Sequence, residues 1–282
     1  MKRILAILCA VTMAALLFAG CGGTETPATA PPTTAAENPP TELQLLVPGT
    51  LSIGTEIGYP PFEMFATDGK TPIGFDIDLG KAIAEILGLA VEHVDHDFET
   101  ILPGLNIDKY DIVMSAVTIT GERSQIVDFS NSYVKNWQSI VVLAGSDPIA
   151  SPQDLQGKKV SYQKGTTSTK YLDDLINTTG LTCEVASFAK VLQCFDELRL
   201  GRVDAVLCDS VVTADYLYRE PGVFEMTWVQ SEDADAEPEM FGIAVKKGNE
   251  TLLAAVNDAL AQLEASGRLD EIREDWQLLG SK

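Results

Sequence analysis

From residue 51 onward, apolar positions follow two alternating rhythms, one with a period of two and one close to 3.6. Leu51 to Thr55 predicts a strand, followed by the turn Gly58-Tyr59-Pro60-Pro61-Phe62. Between Asp76 and Leu89 the spacing is helical. Leu79, Ile83, Ile86 and Leu87 share a face, acids stand near the start and Gly88 near the stop. Val91 to Val94 predicts a strand, Phe98 to Leu105 a short helix, Tyr110 to Met114 a buried strand and Ser139 to Leu143 another.

A second series follows. Ser151-Pro152-Gln153-Asp154-Leu155 opens a short helix, and Lys159 to Gln163 predicts a strand. The loop Lys164-Gly165-Thr166-Thr167 leads into a helix from about Ser168. Next come a strand at Glu184 to Phe188, a helix at Val191 to Leu200 and a strand at Val203 to Leu207 that runs out at Cys208-Asp209. Past the polar stretch Ser231 to Glu239 there is a strand at Phe241 to Val245. Helices at Glu250 to Ala265 and Leu269 to Trp276 complete the pattern. Strands interleaved with helices predict an α/β fold with mostly parallel sheets flanked by helices.

The first residues follow a different rule. Lys2 and Arg3 precede the apolar run Ile4 to Phe18, and Leu17-Phe18-Ala19-Gly20-Cys21 has the small residues of a cleavage site. The run is too short for a membrane span and reads as an export signal over residues 1–20. Cys21 then becomes the first mature residue and a lipidation site, as in a bacterial lipobox, with an ordinary secretory signal as the alternative. Residues 21–44 are rich in Pro, Thr and Ala and carry too little apolar surface to offset their ordering entropy. They are expected to form a tether.

Net charge narrows the partners. The formal charge is -21, and loss of Lys2 and Arg3 with the signal would make it -23. Such a surface disfavours nucleic acid and anionic lipid and favours the approach of small cations. Cys183, Cys194 and Cys208 show no metal-type spacing, and a Cys183–Cys194 bridge stays open. His93 and His96 alone are too few ligands for zinc, so no metal and no cofactor is expected.

The densest chemistry lies between Asp111 and Ser130. An apolar strand gives way to small hydroxyl residues, then Arg123, then Ile126-Val127-Asp128-Phe129-Ser130. Hydroxyls and backbone N–H groups at a strand end, with a guanidinium nearby, make a fork suited to a carboxylate. The plainer alternative is a strand, a turn and an arginine paired with a neighbouring acid.

Five segments, in order, resemble the solute-binding proteins of amino-acid ABC transporters, bacterial extracellular family 3. They are Gly54-Thr55-Glu56-Ile57-Gly58-Tyr59-Pro60-Pro61-Phe62, Gly74-Phe75-Asp76-Ile77-Asp78-Leu79, Asp97-Phe98-Glu99, residues 111–130, and Gly201-Arg202-Val203-Asp204-Ala205-Val206 with Asp209. The resemblance implies a two-lobed type II periplasmic-binding fold with a two-strand hinge. The first lobe would span 45–134 and 240–282 and the second 139–235, with crossovers near Val134 to Gln138 and Ala234 to Met240.

It also implies a site. Arg123 would bind an amino-acid carboxylate with Thr118 and with Thr167 at a helix start. Asp209 would accept the ammonium, helped by Ser115 and the backbone of Ala116. Tyr59 and Phe98 would sandwich the side chain, and Glu56 would reach its far end. Glu56 with the two aromatics favours arginine, lysine, ornithine or histidine, with glutamine or cystine next, and should repel acidic ligands. The implied partners are an ABC permease and, through Cys21, the outer face of the cell membrane, for a chain expected to be a monomer and not an enzyme. Two other classes remain: a cyclohexadienyl dehydratase-like enzyme using Glu56 as its acid, and a sensory binding domain.

Overall fold

The computed structural model describes residues 43–146, 149–232 and 236–281. The export signal, Cys21 and the tether up to residue 42 lie outside the described residues. Thr41–Lys282 form one compact unit. Its first part contains β1 (Thr50–Thr55), the small hairpin β2 (Met64–Phe65) and β3 (Pro72–Ile73), α1 (Phe75–Ile86), β4 (Ala90–Asp95), α2 (Phe98–Asn106), β5 (Ile112–Val113) and β6 (Val127–Phe129). After the crossing strand β7 (Val134–Asn136) come β8 (Gln138–Leu143), β9 (Lys159–Gln163), α3 (Thr167–Thr179), β10 (Glu184–Phe188), α4 (Val191–Arg199), β11 (Ala205–Asp209), α5 (Ser210–Arg219) and β12 (Phe224–Val229). The chain returns through β13 (Glu239–Phe241) to β14 (Ala244–Lys246), α6 (Glu250–Ser266) and α7 (Arg268–Asp275).

Two five-stranded sheets organise two lobes, with strand orders β4-β1-β5-β14-β6 and β10-β9-β11-β8-β12. Within each sheet the reversed strand is the one that arrives from a crossover. β14 runs antiparallel to β5 and β6, and β8 runs antiparallel to β11 and β12. The remaining strands share a direction, with β1 parallel to β4 and β5, and β9 parallel to β10 and β11. Strand ends therefore converge on one edge of each sheet, where α/β folds bind ligands.

Helices cover both faces of each sheet. Ile101, Leu102 and Leu105 of α2 pack with Val113 and Ala244 on one side of the first sheet. Leu79 and Ile83 of α1 join Val256 and Leu260 of α6 on the other. In the second lobe Leu172 of α3 packs on Tyr162 and Trp228, while Phe195 of α4 and Val212 of α5 lie opposite. The Phe195 and Tyr216 rings stack at 3.5 Å.

The lobes are joined by a short antiparallel ladder in which β7 pairs with β13, Asn136 opposite Glu239 and Val134 opposite Phe241. Met240 O also accepts the Ile119 N–H at 2.8 Å, tying the returning strand to the turn after β5.

Two local departures from the periodic reading have physical causes, and a third concerns elements it leaves out. Tyr110 to Met114 yields only a two-residue strand, because Asp111 caps its neighbours with its side chain. Its carboxylate accepts Leu46 N–H at 2.7 Å and Ser52 N–H at 2.9 Å. The strand expected over Phe241 to Val245 divides in two around Gly242. There the Gly242 N–H turns to Val117 O at 3.0 Å as the chain passes from the hinge ladder to the first sheet. Finally, α5 and β12 are elements that apolar spacing did not mark out.

Candidate functional site

The turn after β1 is locked to the start of α1. Gly58 and Tyr59 N–H groups both donate to Glu63 O, at 3.1 and 2.8 Å, and Phe75 and Asp76 N–H groups donate to Pro61 O and Phe62 O. Gly74 makes this approach feasible. Its φ is +141°, and a Cβ there would sit 2.0 Å from Phe62 O. The lock fixes Tyr59 at the interlobe edge, where its hydroxyl donates to Asp209 Oδ2 of the other lobe at 2.5 Å. Burial, followed by the Asp209 charge, pushes the Tyr59 phenol well above its usual range.

Arg123 leaves a one-turn 3-10 helix whose start is capped by Thr120 Oγ1. Its guanidinium donates to Thr118 O at 2.8 Å and to Gly165 O of the second lobe at 3.0 Å, and lies 5.5 Å from the Phe98 ring centroid. Burial lowers its pKa, while Glu239 and Asp209 oppose that shift. Gly165, at φ +76°, brings the second-lobe turn close enough that a Cβ would stand 3.0 Å from Glu99 Cα.

Tyr59, Phe98, Ala116, Thr118, Arg123, Thr166, Thr167 and Asp209 line one cavity of about 10 Å³ between the lobes. Room of that size suits about one water molecule. A second cavity of about 580 Å³ shares Thr118 and Thr167 with it and opens past Glu239 toward Lys170, Tyr171 and Asp174. That volume is in the range of small-molecule sites. The two spaces meet at a contact in which Glu239 Oε2 accepts from Thr118 and Thr167 hydroxyls at 3.4 and 3.0 Å.

Asp209 sits at the end of β11 and is 5% exposed. Asn136 Nδ2 and Gln138 Nε2 donate to its Oδ1 at 2.7 and 3.0 Å. Even so, burial and then the nearby Glu239 charge raise its carboxyl to about 7. An ammonium placed beside it would reverse that cost. Asn136, Gln138 and Glu239 come from the crossover strands, and apolar periodicity gave no sign of them. Each stands at the end of a strand, and the two amides are fully buried.

Three expected residues are placed differently. Ser115 turns its hydroxyl into the first lobe, donating to Glu63 Oε1 at 2.7 Å and accepting Glu56 N–H at 3.0 Å. The Ala116 N–H is bound to Asp76 Oδ2 at 2.8 Å, and its φ of +46° turns the chain at that point. The Ser115 hydroxyl is thus engaged within the first lobe, and Ala116 lines the cavity with its N–H already taken. Glu56 is fully buried and faces the second lobe, but it does not line the cavity. Lys190 Nζ lies 2.6 Å from its Oε1, and Gln163 Nε2 donates to Oε2 at 3.1 Å. Burial raises the Glu56 carboxyl while Lys190 and Gln163 lower it. Cys183, Cys194 and Cys208 are free thiols, so no Cys183–Cys194 bridge forms.

Known proteins bear directly on this arrangement. Over 230 residues the chain is 33% identical to the ABC transporter arginine-binding protein 1 of Escherichia coli (strain K12), covering 80% of this chain and 90% of that protein. It is also 33% identical over 229 residues to the L-cystine-binding protein TcyJ of the same organism, covering 81% and 82%. An ancestral arginine-binding protein solved with arginine superposes with a TM-score of 0.75 at 41% identity, over 81% of this chain and 98% of that one. The same kind of protein solved with glutamine gives 0.74 at 40%, over 82% and 98%. With residues 51–279 matched by the bacterial extracellular solute-binding proteins of family 3, and a two-lobed α/β body to go with them, the chain belongs to that family.

Proposed function

We propose that the body is a receptor that closes on a basic L-amino acid and delivers it to an ABC importer. The reading rests on one observation: Arg123 from the first lobe and Asp209 from the second line a single cavity. A zwitterion carries the two complementary charges. Its carboxylate would draw the Arg123 guanidinium and the Thr118 and Thr167 hydroxyls, and its ammonium would take Asp209 with the Ser115 carbonyl. The side chain would lie between Tyr59 and Phe98. Contacts formed only when both lobes engage supply the free energy of closure.

Arginine is the first choice, with lysine, ornithine and histidine close behind and glutamine or cystine next. The arginine-binding relative supports a basic ligand, and the equally similar cystine-binding relative keeps cystine among the candidates. Receptor action is favoured over catalysis because Glu56, the acid available to protonate a substrate, is held by Lys190. Residues 1–20 would be an export signal and Cys21 a lipid-bearing first residue. A tether over 21–44 would then hold a monomeric body on the outer face of the membrane. In this reading the first lobe comprises 45–134 with 240–282 and the second 139–235.

A titration of purified protein with the twenty amino acids, ornithine and cystine tests the reading directly. Submicromolar arginine binding is expected. Turnover of prephenate or arogenate with no amino-acid binding would replace the receptor with an enzyme.

A further inference from the structure

Lys190 stands where a helix would ordinarily have a different residue. It is the N-cap of α4, yet a lysine side chain has no acceptor with which to cap the first N–H groups. Its charge also sits at the positive end of the helix dipole. Gln193 Oε1 repairs part of the loss by accepting the Lys190 N–H at 3.2 Å. A residue that works against its own helix needs a compensating partner elsewhere.

That partner is on the other lobe. Lys190 Nζ lies 2.6 Å from Glu56 Oε1, donates to Ile57 O at 3.1 Å and is 3.8 Å from Asp95. Glu56 is wholly buried, whereas the Lys190 side chain keeps 28% of its surface exposed. The acid is fixed and the lysine can swing outward along its flexible stem. Beside the pair, Gln163 donates through Nε2 to Glu56 Oε2 and to Ala189 O at 3.1 and 3.0 Å. Its Oε1 is therefore the acceptor, and it is buried without a hydrogen-bond partner. Such an atom carries a desolvation cost until a donor reaches it.

We propose that Lys190 is a selectivity residue. It supplies from the second lobe the cation that Glu56 would otherwise take from a basic ligand, so such a ligand reaches Glu56 only by displacing it. A guanidinium, with five donors in a planar fork, can satisfy Glu56 and Gln163 Oε1 together. A glutamine amide lacks the charge to evict Lys190. Lys190 thus taxes basic side chains alone and narrows the margin by which arginine outbinds a neutral one. This inference rests on the amino-acid reading above.

Calorimetric titration of the full-length protein with arginine and with glutamine tests it, comparing wild type with Lys190→Asn and Lys190→Arg. Asparagine restores a favoured cap and removes the charge. The ratio of glutamine Kd to arginine Kd should rise at least about tenfold, because loss of closure contacts affects both ligands alike and cancels. Arginine at position 190 keeps the competitor, and the ratio should stay within about threefold of wild type. An unmoved or lowered ratio in Lys190→Asn overturns the role of Lys190 while leaving amino-acid binding intact. Wild-type protein that binds neither ligand overturns both readings. Should Lys190→Asn melt below the assay temperature, Lys190→Gln gives the same ratio test.

Discussion

Replacing Asp209 with asparagine separates what this carboxylate does for the fold from what it does for a ligand. Its pKa stands at about 7 in the folded chain, against an ordinary value of 3.8. The folded state therefore holds more protons on this group than the unfolded state does. Stability from this group falls as pH rises from about 4 to about 7 and then levels off. Integrating over that window gives a cost of about 4 kcal/mol by pH 8 and under about 2 kcal/mol at pH 5.

Asparagine keeps the network's shape. Its oxygen can accept from Asn136 and Gln138, and its amide can donate to the Tyr59 hydroxyl, which reverses its role. The ligand-free variant should therefore melt higher at pH 8. At about 2–4 °C for each kcal/mol, the gain should exceed about 5 °C and shrink toward pH 5. Amino-acid affinity should fall by at least about a thousandfold, since an ammonium loses its buried counter-charge. Differential scanning calorimetry across pH, with titration of arginine, reads both. A variant that is less stable at pH 8, with the pH profile of wild type, would refute the assignment of strain to Asp209.

The same ionisation predicts linkage on binding. An ammonium at Asp209 lowers its pKa, so binding near pH 7 should release a fraction of a proton and affinity should climb from pH 5.5 to 7.5. Titrations in buffers of different ionisation heat measure the release, and a pH-independent affinity contradicts it. Arg123→Ala should weaken arginine binding at least about a hundredfold, because a ligand carboxylate would lose its guanidinium inside a closed cleft. Unaltered affinity in that variant removes Arg123 from the site. Gly74→Ala should lower stability by at least about 3 kcal/mol, because the new Cβ meets Phe62 O, a backbone atom that cannot step aside. Urea unfolding at the wild-type midpoint would argue against that lock.

Most of the architecture could be read from periodicity because the lobes use regular amphipathic elements. β9 and β10 match the reading residue for residue, and α1, α4 and α6 shift by a residue or a few at their ends. The failures occur where tertiary contacts replace ladders. Asp111 takes over hydrogen bonding that a longer strand would have supplied, and Gly242 breaks a continuous apolar run because two sheets meet there. For the site, motif likeness brought Tyr59, Phe98, Thr118, Arg123, Thr167 and Asp209 into view, and they stand around one cavity. It could not reveal that Glu56 already has a cation, since Lys190 is remote in sequence and looks like a surface lysine. Nor could it reveal Asn136, Gln138 and Glu239, whose importance comes only from the crossing of two strands.

The placement of β14 between β5 and β6 has a consequence for biogenesis. The lobe whose first strand is made earliest lacks an interior strand of its sheet until residues 244–246 have been synthesised, and α6 and α7 come later still. The middle lobe is contiguous in sequence and can condense first. A nascent chain would thus carry an incomplete leading half, slow to become compact until its last forty or so residues arrive. Release of a C-terminally truncated chain should leave that half protease-sensitive while the middle half resists.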